Sequence, residues 1–115
     1  MSALPIRAVA EHWVDVGAVG DVPVQGARRV ETPAGPVAVF HTQAGEFYAL
    51  ADRCPHKGGP LSEGIVHGAA VACPLHDWSI CLKTGQALGA DAGKGCTAPF
   101  AVQVQDGRLL LRVAA

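Results

Sequence analysis

Apolar and polar residues alternate along short segments of this chain, and Gly, Pro and Asp separate the segments. A period of two places successive side chains on opposite faces of a strand, so each segment is predicted to be a β-strand. No window of useful length has apolar residues at helical spacing, apart from ambiguous alanine-rich pieces. The pattern predicts an all-β fold, an antiparallel sandwich or barrel, with strands at 13–16, 28–32, 37–42, 47–50, 100–105 and 109–113.

Turn residues predict how these strands are joined. The segment 33–36 contains two prolines and a glycine, which favour a turn and interrupt strand pairing. Asp106 and Gly107 lie between the last two strands, and this pair suits the primed turn of a tight hairpin. The region 54–88 differs, because it is rich in Gly, Pro, His and Cys. We expect a single domain over residues 1–115, with an irregular subdomain inserted at about 53–88.

Composition and charge exclude some classes of binding partner. Half of the 115 residues are apolar, only 5% are aromatic, and the net charge is −1. Such a chain has no basic field to attract nucleic acid or anionic lipid. The first ten residues lack the continuous apolar core of a secretory signal, and no stretch approaches the roughly 20 apolar residues that cross a bilayer. We expect a cytoplasmic protein with neither a nucleic-acid nor a membrane partner.

Two motifs in the central region carry the candidate chemistry. The first is C-x-H, with Cys54 and His56, and the second is C-x-x-H, with Cys73 and His76. Thiolate suits iron that is bridged by sulfide, and neutral imidazole removes negative charge from one iron and raises the reduction potential. In a reducing compartment such cysteines are more often metal-binding than disulfide-bonded. The motifs favour one [2Fe–2S] cluster of the Rieske type, ligated by these four residues.

Two other interpretations of the motifs stay open at this point. Zinc accepts the same donors, although zinc sites of this kind usually pair Cys with Cys and His with His. Alternatively, the cysteines are buried and the histidines incidental. The remaining His12, His41 and His67 are expected to have ordinary surface or core roles. Cys81 and Cys96 are expected to be buried thiols that form no disulfide. No Ser-His-Asp order, phosphate loop or carboxylate pair indicates an autonomous active site.

The segments 54–64 and 73–76 resemble Rieske ferredoxin-type domains. More narrowly, the chain is similar to the small subunit of assimilatory NAD(P)H-dependent nitrite reductase, and the match covers about 13–113. This resemblance implies a Rieske-type antiparallel β-sandwich or barrel with the cluster-binding subdomain inserted in the middle. The segments that support the narrower match are 13–17, 64–68, 82–85, 95–97 and 102–108.

The resemblance also implies a partner. In that family a large subunit carries sirohaem, a further iron–sulfur cluster, flavin and the nicotinamide site, and nitrite is reduced to ammonium there. This chain would then be the electron-transfer subunit of an oxidoreductase for nitrate assimilation, with no catalytic residue of its own. The alternative is a free-standing Rieske ferredoxin that serves an oxygenase or receives electrons from a ferredoxin reductase. The ligands are identical in both cases, so they do not separate the two.

Several positions differ from related Rieske proteins, among them Cys81, which departs from the common form of the family. Asp77 stands where the resemblance leads us to expect Asn, which affects local tuning of the potential. Respiratory Rieske proteins have a disulfide across the cluster, but here its two places are held by Gly58 or a neighbour and by Leu75, so no such bridge can form. Trp78 and Ile80 replace hydroxyl donors to sulfur, which places the potential toward the low end of the Rieske range. The docking surface is expected where the cluster edge approaches solvent, at His56, Lys57, His76 and Trp78.

Overall fold

The computed structural model describes residues 7–10, 13–33, 35–55, 59–74, 78–89 and 92–112. Within these ranges it contains eleven β-strands and two short 3₁₀ turns, and no α-helix. The all-β prediction is therefore confirmed. The strands are β1 Arg7–Ala10, β2 Trp13–Ala18, β3 Gly26–Thr32, β4 Gly35–His41, β5 Phe47–Ala51, β6 Ile65–His67, β7 Ala70–Ala72, β8 Ser79–Cys81, β9 Pro99–Phe100, β10 Val102–Gln105 and β11 Arg108–Arg112.

The strands form three antiparallel sheets. One four-stranded sheet has the order β1-β2-β11-β10, and we call it the outer sheet. The other four-stranded sheet has the order β3-β4-β5-β9, and we call it the middle sheet. The third, the small sheet, has the order β6-β7-β8 and is built entirely from the central region of the sequence. The chain thus leaves the sandwich after β5, forms the small sheet, and returns for β9 to β11.

Strand β4 is buried on both faces, and this explains its continuous apolar sequence. Val37 and Val39 pack in a cluster with side chains of β2 and β11 from the outer sheet. Ala38 and Phe40 point the other way and pack in a second cluster with side chains of the small sheet. A strand that is covered on both sides needs apolar residues at every position rather than at alternate ones. The middle sheet is therefore the central layer of three.

The C-terminal hairpin has the predicted turn. Asp106 and Gly107 have φ angles of 53° and 76°, and a type I′ turn requires a positive φ at both positions. Gln105 and Arg108 are paired on either side of it. At the other predicted turn, Thr32 is paired with Gly35, and the Thr32 hydroxyl donates to the Gly35 carbonyl oxygen at 2.7 Å. The turn at Asp106 and Gly107 is therefore as predicted, whereas the other is shorter than 33–36, because β4 begins at Gly35 and Pro36 is paired with Glu31.

The strand predictions were wrong in three places. The predicted strand 100–105 is two strands in different sheets, since β9 pairs with β5 and β10 pairs with β11. Strand β1 was missed, although it pairs with β2. The central region is also not wholly irregular, since it contains β6, β7 and β8. Each of these three strands has only three residues, too few to show a period of two. The limits of the inserted subdomain, about 53–88, stay a prediction. Among the described residues, no helix is long and apolar enough to span a membrane.

Candidate metal centre

The two predicted thiolate ligands lie in the same part of the protein interior. Cys54 follows the end of β5 by three residues, and Cys73 directly follows β7. Their exposed fractions are 2% and 3%, and both belong to the buried cluster between the middle and small sheets. The predicted ligands His56 and His76 lie outside the described residues, so the four-residue ligand set stays a prediction. Among the residues that are described, no three His, Cys, Asp or Glu side chains form a metal site.

The two ligand loops have the same closure at the base. The Cys54 amide donates to the carbonyl oxygen of Gly59 at 2.8 Å, and the Cys73 amide donates to that of Trp78 at 2.7 Å. In both cases the bond joins a cysteine to the fifth residue after it. The motifs C-x-H and C-x-x-H therefore lie in matching loops, and each loop encloses one predicted histidine. Two matching loops with buried thiols at their bases are what a cluster with one thiolate and one imidazole from each side requires.

A third segment contacts both ligand loops. A Cβ atom added to Gly95 would lie 3.1 Å from Cβ of Pro55 and 3.7 Å from Cζ3 of Trp78. The backbone at Gly95 thus lies against the first loop and against the tryptophan that closes the second. Trp78 is half-buried and packs against the cluster that contains both cysteines. Sequence reasoning did not assign this contact, because a lone glycine about 40 residues after the first motif carries no spacing signal.

The two remaining cysteines, Cys81 and Cys96, are less buried than expected. Cys81 is half-buried, but Cys96 is exposed, so the prediction that both thiols are buried was wrong for Cys96. The Cys81 amide donates to the Gln86 carbonyl oxygen at 2.9 Å, and Gln86 is bridged to Cys96 on its other side. Two strand spacings, about 10 Å, therefore separate the cysteines, which is too far for a disulfide. As expected, they form none.

Cys81 is expected to react as a thiolate at lower pH than an ordinary cysteine. Burial raises the pKa of its thiol, but the Thr84 hydroxyl, the backbone amides of Thr84 and Lys83, and the Lys83 charge outweigh this and lower the pKa. The thiolate is the nucleophile, so the pH midpoint of Cys81 alkylation by iodoacetamide should lie below the usual value. Thr84→Ala should raise this midpoint, measured on the Cys81 peptide by mass spectrometry. An unchanged midpoint in Thr84→Ala would contradict the assignment.

The other described histidines lie away from the ligand loops. The His41 ring donates from Nδ1 to the Val22 carbonyl oxygen at 2.9 Å and stacks on Phe47, with ring centroids 4.1 Å apart. This side chain therefore joins β4 to the loop before β3, which is an ordinary packing role. His67 is exposed at the end of β6. His12 lies outside the described residues.

The three-layer β fold with two matching Cys/His loops defines a small electron-transfer iron–sulfur domain. The family model of the Rieske [2Fe-2S] domain matches residues 12–104. This match covers most of the chain, so the protein belongs to the Rieske [2Fe–2S] family.

The relatives of this chain include oxygenase ferredoxins. The 3-phenylpropionate/cinnamic acid dioxygenase ferredoxin subunit of Escherichia coli (strain K12) is 43% identical over 94 residues, which are 81% of this chain and 86% of that protein. A chain of the solved complex of reduced oxygenase and oxidised ferredoxin in carbazole 1,9a-dioxygenase is 29% identical, with a TM-score of 0.78 over 90% of this chain and 94% of that one.

A second class of protein has the same fold. The putative NADH-dependent nitrite reductase small subunit from Mycobacterium tuberculosis superimposes with a TM-score of 0.80 over 90% of this chain and 96% of that one. It is 24% identical to this chain, so the likeness shows the shared fold and no more. The fold is therefore common to the oxygenase ferredoxins and to this subunit.

The residues at the centre fit the cofactor of the family. Two buried thiols lie at the bases of two matching loops and would supply the thiolate half of a Rieske ligand set, and both predicted histidines fall between the loop ends in the sequence. The protein is thus a Rieske electron-transfer protein, and its cofactor is a [2Fe–2S] cluster. When bound, such a cluster takes up and releases one electron at a time. The chain's own part is to hold the ligands at fixed positions and to limit the access of water to the thiolates.

Proposed function

We propose that this chain is a Rieske ferredoxin that delivers electrons to an oxygenase. The single observation that carries the proposal is the 43% identity to a dioxygenase ferredoxin subunit over 86% of that protein's length. The sequence resemblance favours a nitrite reductase subunit with an oxygenase carrier as the alternative, whereas the 43% identity supports the oxygenase carrier better. The ligand motifs fit both functions, so the ranking depends on the similarity of the rest of the chain.

In this function each of the two irons would be held by two of the four predicted ligands. Cys54 and Cys73, which are buried, would hold the inner iron, and His56 and His76 would hold the outer one. The imidazole-bound iron would then lie nearer to solvent and to the partner. A ferredoxin reductase would supply the electrons and an oxygenase would receive them, both within the cytoplasm.

The small subunit of a nitrite reductase is the second candidate. Its support is the fold shared with the Mycobacterium tuberculosis protein, together with the sequence segments that resemble that family. In that case the partner would be a large subunit with sirohaem and flavin, and the chain would serve nitrite reduction. At 24% identity this support is weaker than that for the oxygenase ferredoxin.

A two-partner assay tests the proposal. The iron-loaded protein is combined with NADH and a ferredoxin reductase, and then with the oxygenase component of a 3-phenylpropionate dioxygenase or with a sirohaem nitrite reductase subunit. We expect oxidised aromatic product only when this chain is present, and none with Cys73→Ser. Nitrite-dependent oxidation of NADH with the sirohaem subunit, and no product with the oxygenase, would instead support the second candidate.

A further inference from the structure

The two ligand loops are anchored in different ways. The second loop lies at the end of a hairpin, because β7 and β8 are paired up to Ala72 and Ser79 on either side of it. The first loop begins after β5, and the chain that follows it enters a 3₁₀ turn at Leu61–Glu63 rather than a strand. In the described part of the chain, no strand pair brackets this loop as β7 and β8 bracket the other. Apart from the bond between the Cys54 amide and the Gly59 carbonyl oxygen, the segments that flank this loop need another connection.

Asp52 and Ser62 supply that connection through two short hydrogen bonds. The Ser62 amide donates to Oδ1 of Asp52 at 2.7 Å, and the Ser62 hydroxyl donates to Oδ2 at 2.6 Å. The backbone of Asp52 is held in turn by the middle sheet, since its amide donates to the Pro36 carbonyl oxygen at 3.0 Å. We call this pair the loop clamp. It closes the segment that contains Cys54 and the predicted ligand His56.

The burial of Asp52 makes its carboxylate depend on the hydrogen bonds from Ser62. Its side chain is fully buried, and a buried carboxylate is costly unless hydrogen bonds and opposite charge compensate it. Arg29 is half-exposed, and its Nη1 lies 3.8 Å from Oδ2 of Asp52, too far for a hydrogen bond. The two bonds from Ser62 are charge-assisted, and such bonds are about twice as strong as neutral ones. The carboxylate of Asp52 therefore holds Ser62 through two bonds, and the burial of the adjacent Leu61 in the core adds to this.

We propose that the loop clamp is a positioning device for the cluster. By fixing the start and the end of the first loop on the middle sheet, Asp52 and Ser62 hold Cys54 at a set place relative to Cys73 in the second loop. A loop without the clamp keeps its thiol but samples a wider range of ligand positions. The inference rests on the ligand assignment proposed above and does not depend on which partner accepts the electron.

The loaded protein and three variants test the clamp. Ser62→Ala removes the hydroxyl bond, and the cluster should be released to a chelator about tenfold faster, followed by loss of visible absorbance. The EPR lines of the reduced cluster should also broaden, because a looser loop gives a wider spread of cluster geometries. Ser62→Thr keeps the hydroxyl and should restore the wild-type rate and line width. Asp52→Asn, which lacks the charge, should release the cluster at least as fast as Ser62→Ala.

A carboxylate elsewhere in the fold provides the matched control. Asp15 on β2 accepts from Nη2 and Nε of Arg108 at 2.9 and 3.0 Å, in the outer sheet. Asp15→Asn should lower the melting temperature of the apoprotein without changing the release rate or the EPR lines. Equal release rates in wild type, Ser62→Ala and Asp52→Asn would overturn the clamp, as would an equal acceleration by Asp15→Asn. A wild-type protein without iron would overturn the ligand assignment itself, which separates the two failures.

Discussion

Replacing Cys73 by serine is expected to remove the [2Fe–2S] cluster. The wild-type protein should be red-brown and contain about two irons and two acid-labile sulfides per chain, and Cys73→Ser should contain neither. Cys73 is 3% exposed at the base of the second loop, where a serine hydroxyl is a poor ligand for iron. Cys96→Ser is the matched control: the same atom is changed, but Cys96 is exposed, so the iron content should stay at the wild-type value.

Loss of the cluster should also weaken the fold around the loops. Metal binding contributes to folding where the ligands come from separate loops, so Cys73→Ser should melt at lower temperature than the loaded wild type. His76→Ala should behave in the same way, whereas His41→Ala should keep its iron because His41 packs on Phe47 instead. Zinc in place of iron, with no labile sulfide, would show that the alternative zinc site is correct.

Most of the sandwich could be predicted from the sequence, because its strands are long enough to show their pattern. The hairpin at Asp106 and Gly107 is an example, since local turn chemistry alone fixes its register. The packing partners of the central layer could not be predicted from the sequence in the same way. The continuous apolar run of β4 indicates burial on both faces, but it does not say which strands cover the second face. That face is covered by β6 to β8, whose three-residue strands carry no detectable period.

The candidate site also has parts that the sequence predicts and parts that it does not. Cys54 and Cys73 could be proposed as ligands because C-x-H and C-x-x-H are local patterns, and the structure places both in one buried cluster. The loop clamp could not, because Asp52 and Ser62 are ten residues apart and ordinary residue types form it. The choice of partner was also beyond the motifs. The ligands perform the same chemistry in an oxygenase ferredoxin and in a nitrite reductase subunit, so only the similarity of the whole chain separates them.

Gly64 lies at a close approach between the segment after the first loop and the small sheet. It follows the 3₁₀ turn and immediately precedes β6, with φ −81° and ψ −179°, angles that alanine adopts without strain. A Cβ atom there would overlap the carbonyl oxygen of Ala72 and lie 2.9 Å from Cγ2 of Val71. Both residues belong to β7, and Ala72 is bonded to Cys73. A single methyl group at this place would therefore push β6 away from β7 and displace the second ligand loop.

Gly64→Ala is thus expected to cost about 3 kcal/mol of unfolding free energy, at the upper end of the range for overpacking a well-packed interior. The melting temperature of the apoprotein should fall by roughly 10 °C or more, and the loaded protein should lose iron on dilution. Gly20→Ala is the matched control, because Gly20 is exposed and a Cβ there meets no atom within 4 Å. Its melting temperature should stay close to wild type. If the two alanine variants melt together, the clash between β6 and β7 is relieved without cost, and the close approach at Gly64 does not position Cys73.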